Sequence, residues 1–288
     1  MSPPSTGNNA DATLESSAAH DSITLELAKK ESAEHYHGMP ELYAEMRRRP
    51  LLVKAYRVDD PNAPTEEDVK TVHFLRHGQG FHNLMADIAR AEGRDWVQYS
   101  HTPENPYIMP EILDAPLTQK GRNQARLIQP RIAALPTKPE LVVLSPNCRA
   151  IQTGLIAFEE LLSDKNVPFI AHEMVREENG VHICDKRRPT SQQMKEFPQV
   201  DFSLLETEED VIFRDDRREN KTEIGERIYK FLCWLSERPE RHVAVSSHSG
   251  WLMTVFNGNI ECEESLKPWF QTGEMRSVKL VFTRRDVE

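Results

Sequence analysis

Four short apolar runs, each handing the chain to a charged or imidazole side chain, constrain this sequence more than any other feature. VKTVHFL precedes Arg76 and His77, LVVLSP precedes Arg149, VPFIAHEMV leads to Glu177, and HVAVSS precedes His248. Short runs of β-branched and aromatic residues bounded by turn formers read as buried strands. Helical patterns separate them, so the expected class is α/β, a three-layer α/β/α arrangement with a mostly parallel central sheet. In such a sheet ligands bind outside the carboxyl ends of the strands, which would gather these side chains into one crevice.

Local patterns fill in the rest. The glycines at 78 and 80 break the first strand before a helical stretch, roughly Phe81 to Glu92. Thr118 can cap a helix running towards Leu135, with a kink expected at Pro130. Asn147 is placed as the N-cap of a helix burying Ile151, Leu155, Phe158 and Leu162. Asn220 and Glu223 form a capping-box pattern opening a helix with Ile224, Ile228, Phe231 and Leu235 on its buried face. A further helix is expected from about Gly250 to Phe256, and MRSVKLVF finishes the sheet.

Residues 1–21 are Ser-, Ala-, Asn- and Pro-rich and read as a disordered tail. Residues 22–68 read as a helical N-terminal extension and lead-in, in which LLVKAYRV is either an edge strand or an extended approach. The core domain is expected over 69–288, with insertions at 93–116 and 180–220, the second a lid or insertion over the site.

A chain of 288 residues with 38% hydrophobic and 28% charged residues has the composition of a soluble globular protein. Its net charge of −10 argues against a general nucleic-acid binder, which needs an excess of Lys and Arg on one face. Cys148, Cys184, Cys233 and Cys262 show no CxxC pair or zinc spacing, and HGQGFH and EHYH lack a third convergent ligand, so no metal and no cofactor are expected. No stretch is long and apolar enough for a bilayer, and the N-terminus has neither a basic region nor an apolar core. A cytoplasmic location is expected, with the nucleus open, and the oligomeric state is not specified.

The segments LRHGQGFHN, DAPLTQKGRNQA, SPNCRAIQT, VREENG and SSHSG, in that order, resemble the histidine phosphatase superfamily, also called phosphoglycerate mutase-like. The resemblance spans roughly Val69 to Phe282, and GVHICDKRR is similar to a eukaryotic, phosphatase-like subgroup. It implies a phosphoglycerate mutase-like fold and a metal-independent phosphatase acting on a small phosphorylated metabolite through phosphohistidine. The alternatives are a mutase-like phosphotransferase and a noncatalytic phosphate-binding or scaffold protein.

In this reading His77 is the nucleophile, since a neutral imidazole attacks phosphorus well near physiological pH. Arg76 and Arg149 hold the nonbridging oxygens with permanently charged forks. His248 binds the phosphoryl group, as a cation if neighbouring carboxylates raise its pKa. Glu177, preferred over the adjacent Glu178, donates the proton to the leaving oxygen. Asn83, Gln79 and Ser249 are assigned to substrate binding, with His82 a further pocket candidate. Gly121 serves close packing, and Lys186, Arg187 and Arg188 either read a second anionic group or form a solvated charge run.

Overall fold

In the computed structural model, residues 36–64, 69–94 and 101–285 are described, so the expected tail over 1–21 and most of the helix expected after it lie outside the described residues. The chain divides into two units, Met1–Met39 and Pro40–Glu288, and every element from the first strand onward lies in the second.

Six strands form one sheet: β1 (Leu51–Arg57), β2 (Val69–Arg76), β3 (Leu141–Leu144), β4 (Phe169–Ala171), β5 (His242–Ser247) and β6 (Met275–Arg284), in the order β1-β6-β2-β5-β3-β4. The β2–β5, β5–β3 and β3–β4 pairs are parallel, and β6 runs antiparallel to both its neighbours. LLVKAYRV is therefore an edge strand hydrogen-bonded into the sheet, which begins before Val69. MRSVKLVF is the last strand of the chain, as expected, and inserts between β1 and β2.

The helices are α1 (Met39–Met46), α2 (Phe81–Ala91), α3 (Gln119–Arg126), α4 (Gln129–Ala133), α5 (Cys148–Ala157), α6 (Thr190–Glu196), α7 (Lys221–Glu237) and α8 (Ser249–Thr254). Strand side chains alternate between faces. Val72, Phe74, Leu141, Val143, Val243 and Val245 join the α7 and α8 residues Ile224, Ile228, Phe231, Leu235 and Trp251 in one core. Leu75, Val142, Leu144 and Ala244 face the other way, onto Ile132 of α4 and Ile151 of α5. Helices thus cover both faces, the three-layer arrangement expected. Burying each large aliphatic side chain on α7 contributes about 1.5–3 kcal/mol.

The capping box at α7 forms as its spacing suggests, with Asn220 Oδ1 accepting the Glu223 N–H and Glu223 Oε2 accepting the Asn220 N–H, both at 2.9 Å. Elsewhere tertiary contacts redraw local patterns. Thr118 caps α3, but the chain breaks after Arg126 and restarts as α4, with Pro130 early in the new helix where its missing N–H costs nothing. Asn147 occupies the N-cap of α5 without capping it; the carboxylate of Asp114, 34 residues upstream, accepts the Cys148 N–H at 2.8 Å instead. VPFIAHEMV is strand only over its three-residue β4 and then turns as a 3-10 segment at Glu173–Val175, because His172 Nδ1 accepts the Met174 N–H at 3.1 Å. The final helix, α8, starts at Ser249 and passes into a π-turn over Val255–Asn259. The described part of 93–116 holds two 3-10 turns, Pro106–Ile108 and Pro110–Ile112.

Two buried histidines outside the sheet-end cluster contribute to a pH-sensitive fold. His172 packs edge-on against Phe231 and Trp234, His73 bonds Ser277 Oγ at 2.7 Å, and burial depresses both rings to a pKa of about 4. Unfolded histidine titrates near 6.5, so the unfolded chain binds more protons across the window from about 6.5 down to 4, and stability falls as pH falls through it. The expected loss at pH 5 is about 2 kcal/mol per histidine. Chemical denaturation at pH 7 and pH 5 checks it; an unchanged midpoint would show that neither ring is held neutral.

Candidate active site

The parallel register of β2 and β5 pairs Arg76 with Ser247, so the next residue of each strand, His77 and His248, emerges at the same sheet end. Their rings lie 5.0 Å apart, and the His77 N–H donates to the Ser247 carbonyl at 3.0 Å. β3 ends beside them, and Ser145 Oγ bonds His248 Nε2 at 2.7 Å. Arg149, on the first turn of α5, reaches back so that its Nε donates to His77 Nε2 at 3.3 Å.

His77 is 1% exposed. Its Nδ1 bonds the Gly78 carbonyl at 2.7 Å, which requires the proton on Nδ1 and leaves the Nε2 lone pair facing Arg149. The turn that sets this geometry needs glycine, since a Cβ on Gly78 would overlap the Gly121 backbone and one on Gly121 would overlap that of Gln79. Gly121 is thus a close-packing position, as expected.

The electrostatics keep the imidazoles neutral. Burial, then Arg149 and Arg76, hold the His77 pKa well below its ordinary value. Burial, Arg149 and the rings of His77 and His82 do the same to His248, so the condition under which it would be a cation is not met. Arg76 is depressed to about 10 by burial, offset partly by Glu177. Burial also opposes the charge of Arg149, but Asp185 and other nearby groups raise its pKa overall. Arg76 Nη1 donates to the Phe270 carbonyl at 2.6 Å, while buried Arg76 Nε and His248 Nδ1 have no hydrogen-bond partner among the described residues. Orphaned buried nitrogens flanking a cationic pair suit an incoming anion with several acceptor oxygens.

Glu177 does not follow a strand; it lies just beyond the 3-10 turn and is oriented by the start of α8. Its Oε1 accepts the N–H groups of Trp251 at 2.9 Å and Glu178 at 3.0 Å, and its Oε2 accepts from Gly250 N–H at 3.1 Å and Ser249 Oγ at 3.3 Å. Glu178 is turned away, bonded to Lys221 at 2.9 Å and facing Arg218 at 3.7 Å.

The remaining sequence candidates divide. Asn83 accepts the Gly80 N–H at 3.0 Å through Oδ1, so only its NH2 end is of use to a phosphate. Gln79 is engaged at both ends, receiving Thr118 Oγ1 at 2.9 Å and donating to Asp87 at 3.3 Å, an arrangement that supports the turn. The Ser249 hydroxyl goes to Glu177. His82 lies beside His77, the two rings 5.5 Å apart.

The basic triplet is neither a second anion pocket nor a solvated run. Arg187 is buried against Glu173 at 2.7 Å and the carbonyls of residues 207–209, Arg188 pairs with Asp114 at 3.0 Å and Glu196 at 2.7 Å, and Lys186 lies over the Phe213 ring. Sequence reasoning passed over Ser145, Thr153, whose Oγ1 accepts the Gly78 N–H at 3.0 Å, and Asp185, which pairs with Arg149 at 2.7 Å. Only the run SPNCRAIQT hinted at the first two, and nothing marked Asp185 beyond its place in GVHICDKRR.

Comparison with known proteins points the same way. The sequence pattern of the histidine phosphatase superfamily (branch 1) matches residues 100–287, a span that contains Arg149, Glu177 and His248 and begins beyond Arg76 and His77. A phosphoglycerate mutase-like protein of Arabidopsis thaliana is 33% identical over 225 residues, covering 69% of this chain and 78% of the relative. Phosphoglycerate mutase-like protein 1 of the same plant is 33% identical over 244 residues, covering 74% of this chain and 81% of the relative. A probable phosphatase of Schizosaccharomyces pombe is 26% identical over 182 residues, covering 62% and 74%.

Proposed function

The chain belongs to the histidine phosphatase superfamily, and from that premise we propose that it hydrolyses a small phosphomonoester through a phosphohistidine at His77. The observation that carries this reading is the tautomer imposed on His77. With Nδ1–H committed to the Gly78 carbonyl, the Nε2 lone pair lies beside Arg149, within a ring-to-ring distance of 5.0 Å from His248.

In the first step Nε2 attacks phosphorus, the N–P bond forms as the ester P–O bond breaks, and the leaving oxygen keeps its electron pair and takes a proton from Glu177. Arg76 and Arg149 bind the nonbridging oxygens, the hydrogen bond from Arg149 Nε–H swinging from the imidazole to a phosphoryl oxygen while the guanidinium keeps its proton. A phosphoryl dianion raises the pKa of the neutral His248, which can then add a charged donor to the oxygens. In the second step water attacks phosphorus, Glu177 accepts its proton, and the N–P bond electrons return to Nε2 as phosphate leaves.

The burial of the nucleophile favours a small substrate. His77 is 1% exposed and the neighbouring rings of His82 and His248 are 6% and 0% exposed, which favours a compact ligand that can reach a buried imidazole. The mutase reading draws on the names of the Arabidopsis relatives and would use the same residues while keeping water out. The two are separated by measuring inorganic phosphate release from a panel of small phosphometabolites alongside isomerisation of phosphoglycerate. Release from at least one compound, with negligible isomerisation, is expected; fast isomerisation without release would overturn hydrolysis.

A further inference from the structure

We propose that Asp185 is a positioning residue for phosphoryl transfer, aiming the Arg149 guanidinium at the phosphorus-bound oxygens. The proposal rests on the reading of Arg149 as a phosphate ligand.

An arginine offers five N–H donors in a rigid plane, and what it presents to a ligand depends on which of them are held elsewhere. Arg149 is 1% exposed. Its Nη2 donates to Asp185 Oδ1 at 2.7 Å, its Nη1 to the Cys184 carbonyl at 2.5 Å, and its Nε to His77 Nε2 at 3.3 Å. The two Nη contacts come from adjacent residues of one turn and grip the guanidinium from one side. Nε and one hydrogen on each Nη are thereby left for the reacting group, with Nε already at the nucleophile.

Asp185 is itself immobilised. It is 3% exposed; Oδ2 accepts from Arg218 Nη1 at 2.7 Å and lies 3.8 Å from His182 Nδ1. Its main-chain N–H donates to the His182 carbonyl at 2.9 Å, and its own carbonyl accepts from Arg176 Nη2 at 2.7 Å and Asn147 Nδ2 at 3.3 Å. Arg176 is in turn chelated by Asp210 at 2.5 and 2.9 Å. Asn147 immediately precedes the helix that carries Arg149, so the side chain and the backbone of Asp185 anchor the same arginine from two directions. Despite burial, Arg218 and Arg149 keep the carboxyl below its usual range, so it remains an anion that compensates the buried guanidinium.

A merely structural Asp185, tying the 180–220 segment down through Arg218, predicts a different pattern, and a double-mutant cycle separates the two. Asp185→Asn preserves size while removing the charge and part of the acceptor capacity. In the otherwise native chain it is expected to lower kcat by on the order of tenfold to a hundredfold, with a smaller change in KM, and to weaken orthovanadate inhibition by a similar factor. In an Arg149→Met background the same change is expected to cost less than about twofold, because the group it aims is gone. Thermal melting of all variants, and Arg218→Met as a second variant, guard against loss of fold. An equal loss in both backgrounds, or an Arg218→Met effect as large as that of Asp185→Asn, overturns the proposal. An Arg149→Met protein with undiminished turnover and orthovanadate affinity would instead refute the phosphate-ligand reading.

Discussion

His77→Ala is expected to abolish turnover, by on the order of 10⁴-fold or more, because without its imidazole no first step exists and the rest of the site can only bind substrate. Wild-type protein denatured in alkaline detergent during turnover of a labelled phosphomonoester should carry base-stable phosphate that is released on acidification, and the variant none. The fold should survive, since the backbone contacts of residue 77, to the Ser247 and Gly273 main chain, are independent of the ring. Inorganic phosphate should still bind to the variant through Arg76 and Arg149. Labelling that persisted in His77→Ala would move the nucleophile, with His82, 5.5 Å away ring to ring, the next residue to test.

Glu177→Gln carries the second largest expected effect, and its dependence on the substrate is more informative than its size. A carboxylic acid matters most when the departing oxygen is a poor leaving group. Hydrolysis of an alkyl phosphate should fall by on the order of 10²–10⁴-fold, whereas an aryl phosphate with an acidic phenol should lose far less in the phosphorylation step. The carboxylate also receives the N–H groups of Gly250 and Trp251, so the amide disturbs the start of α8. That disturbance would slow both substrates alike, and rates under burst conditions tell the cases apart. Equal losses for alkyl and aryl phosphates in the burst-phase phosphorylation rate would remove Glu177 as the proton donor. Glu178, held between Lys221 and Arg218, would not inherit the role without breaking both pairs.

Much of this architecture was legible because its causes are local. The alternation in VKTVHFL, LVVL and HVAVSS places successive side chains on opposite faces of a sheet, and each run became a strand, with Arg76, His77 and His248 at the ends of β2 and β5 and Arg149 on the helix that follows β3. The Asn220 and Glu223 capping box closes over three residues and needed nothing distant. Where a pattern extended to a neighbour far away in sequence, it misled. Asn147 has the right side chain to cap α5, yet Asp114, the first residue of DAPLTQKGRNQA, accepts the Cys148 N–H from a turn at φ 45, a pairing across 34 residues that neither segment shows by itself. The triplet from Lys186 to Arg188 resembles a surface charge run because its acidic partners, Glu173, Asp114 and Glu196, lie elsewhere along the chain.

By itself the sequence determined which chemistry is available: two guanidinium forks, a run of imidazoles and an acidic pair, placed after apolar runs whose period dictates strands. Only the tertiary structure decided how these groups are used. Parallel pairing of β2 with β5 sets His77 beside His248, insertion of β6 next to β2 brings the Phe270 carbonyl to Arg76, and the first turn of α8 orients Glu177 while Glu178 is drawn away. It also decided the charge of His248, left conditional by the sequence, in favour of the neutral ring, and revealed Asp185 behind Arg149. The physical reason is that periodicity and capping are properties of neighbouring residues. Protonation, the direction of a buried donor and the compensation of a buried charge depend instead on burial and on partners that the chain brings together only when folded.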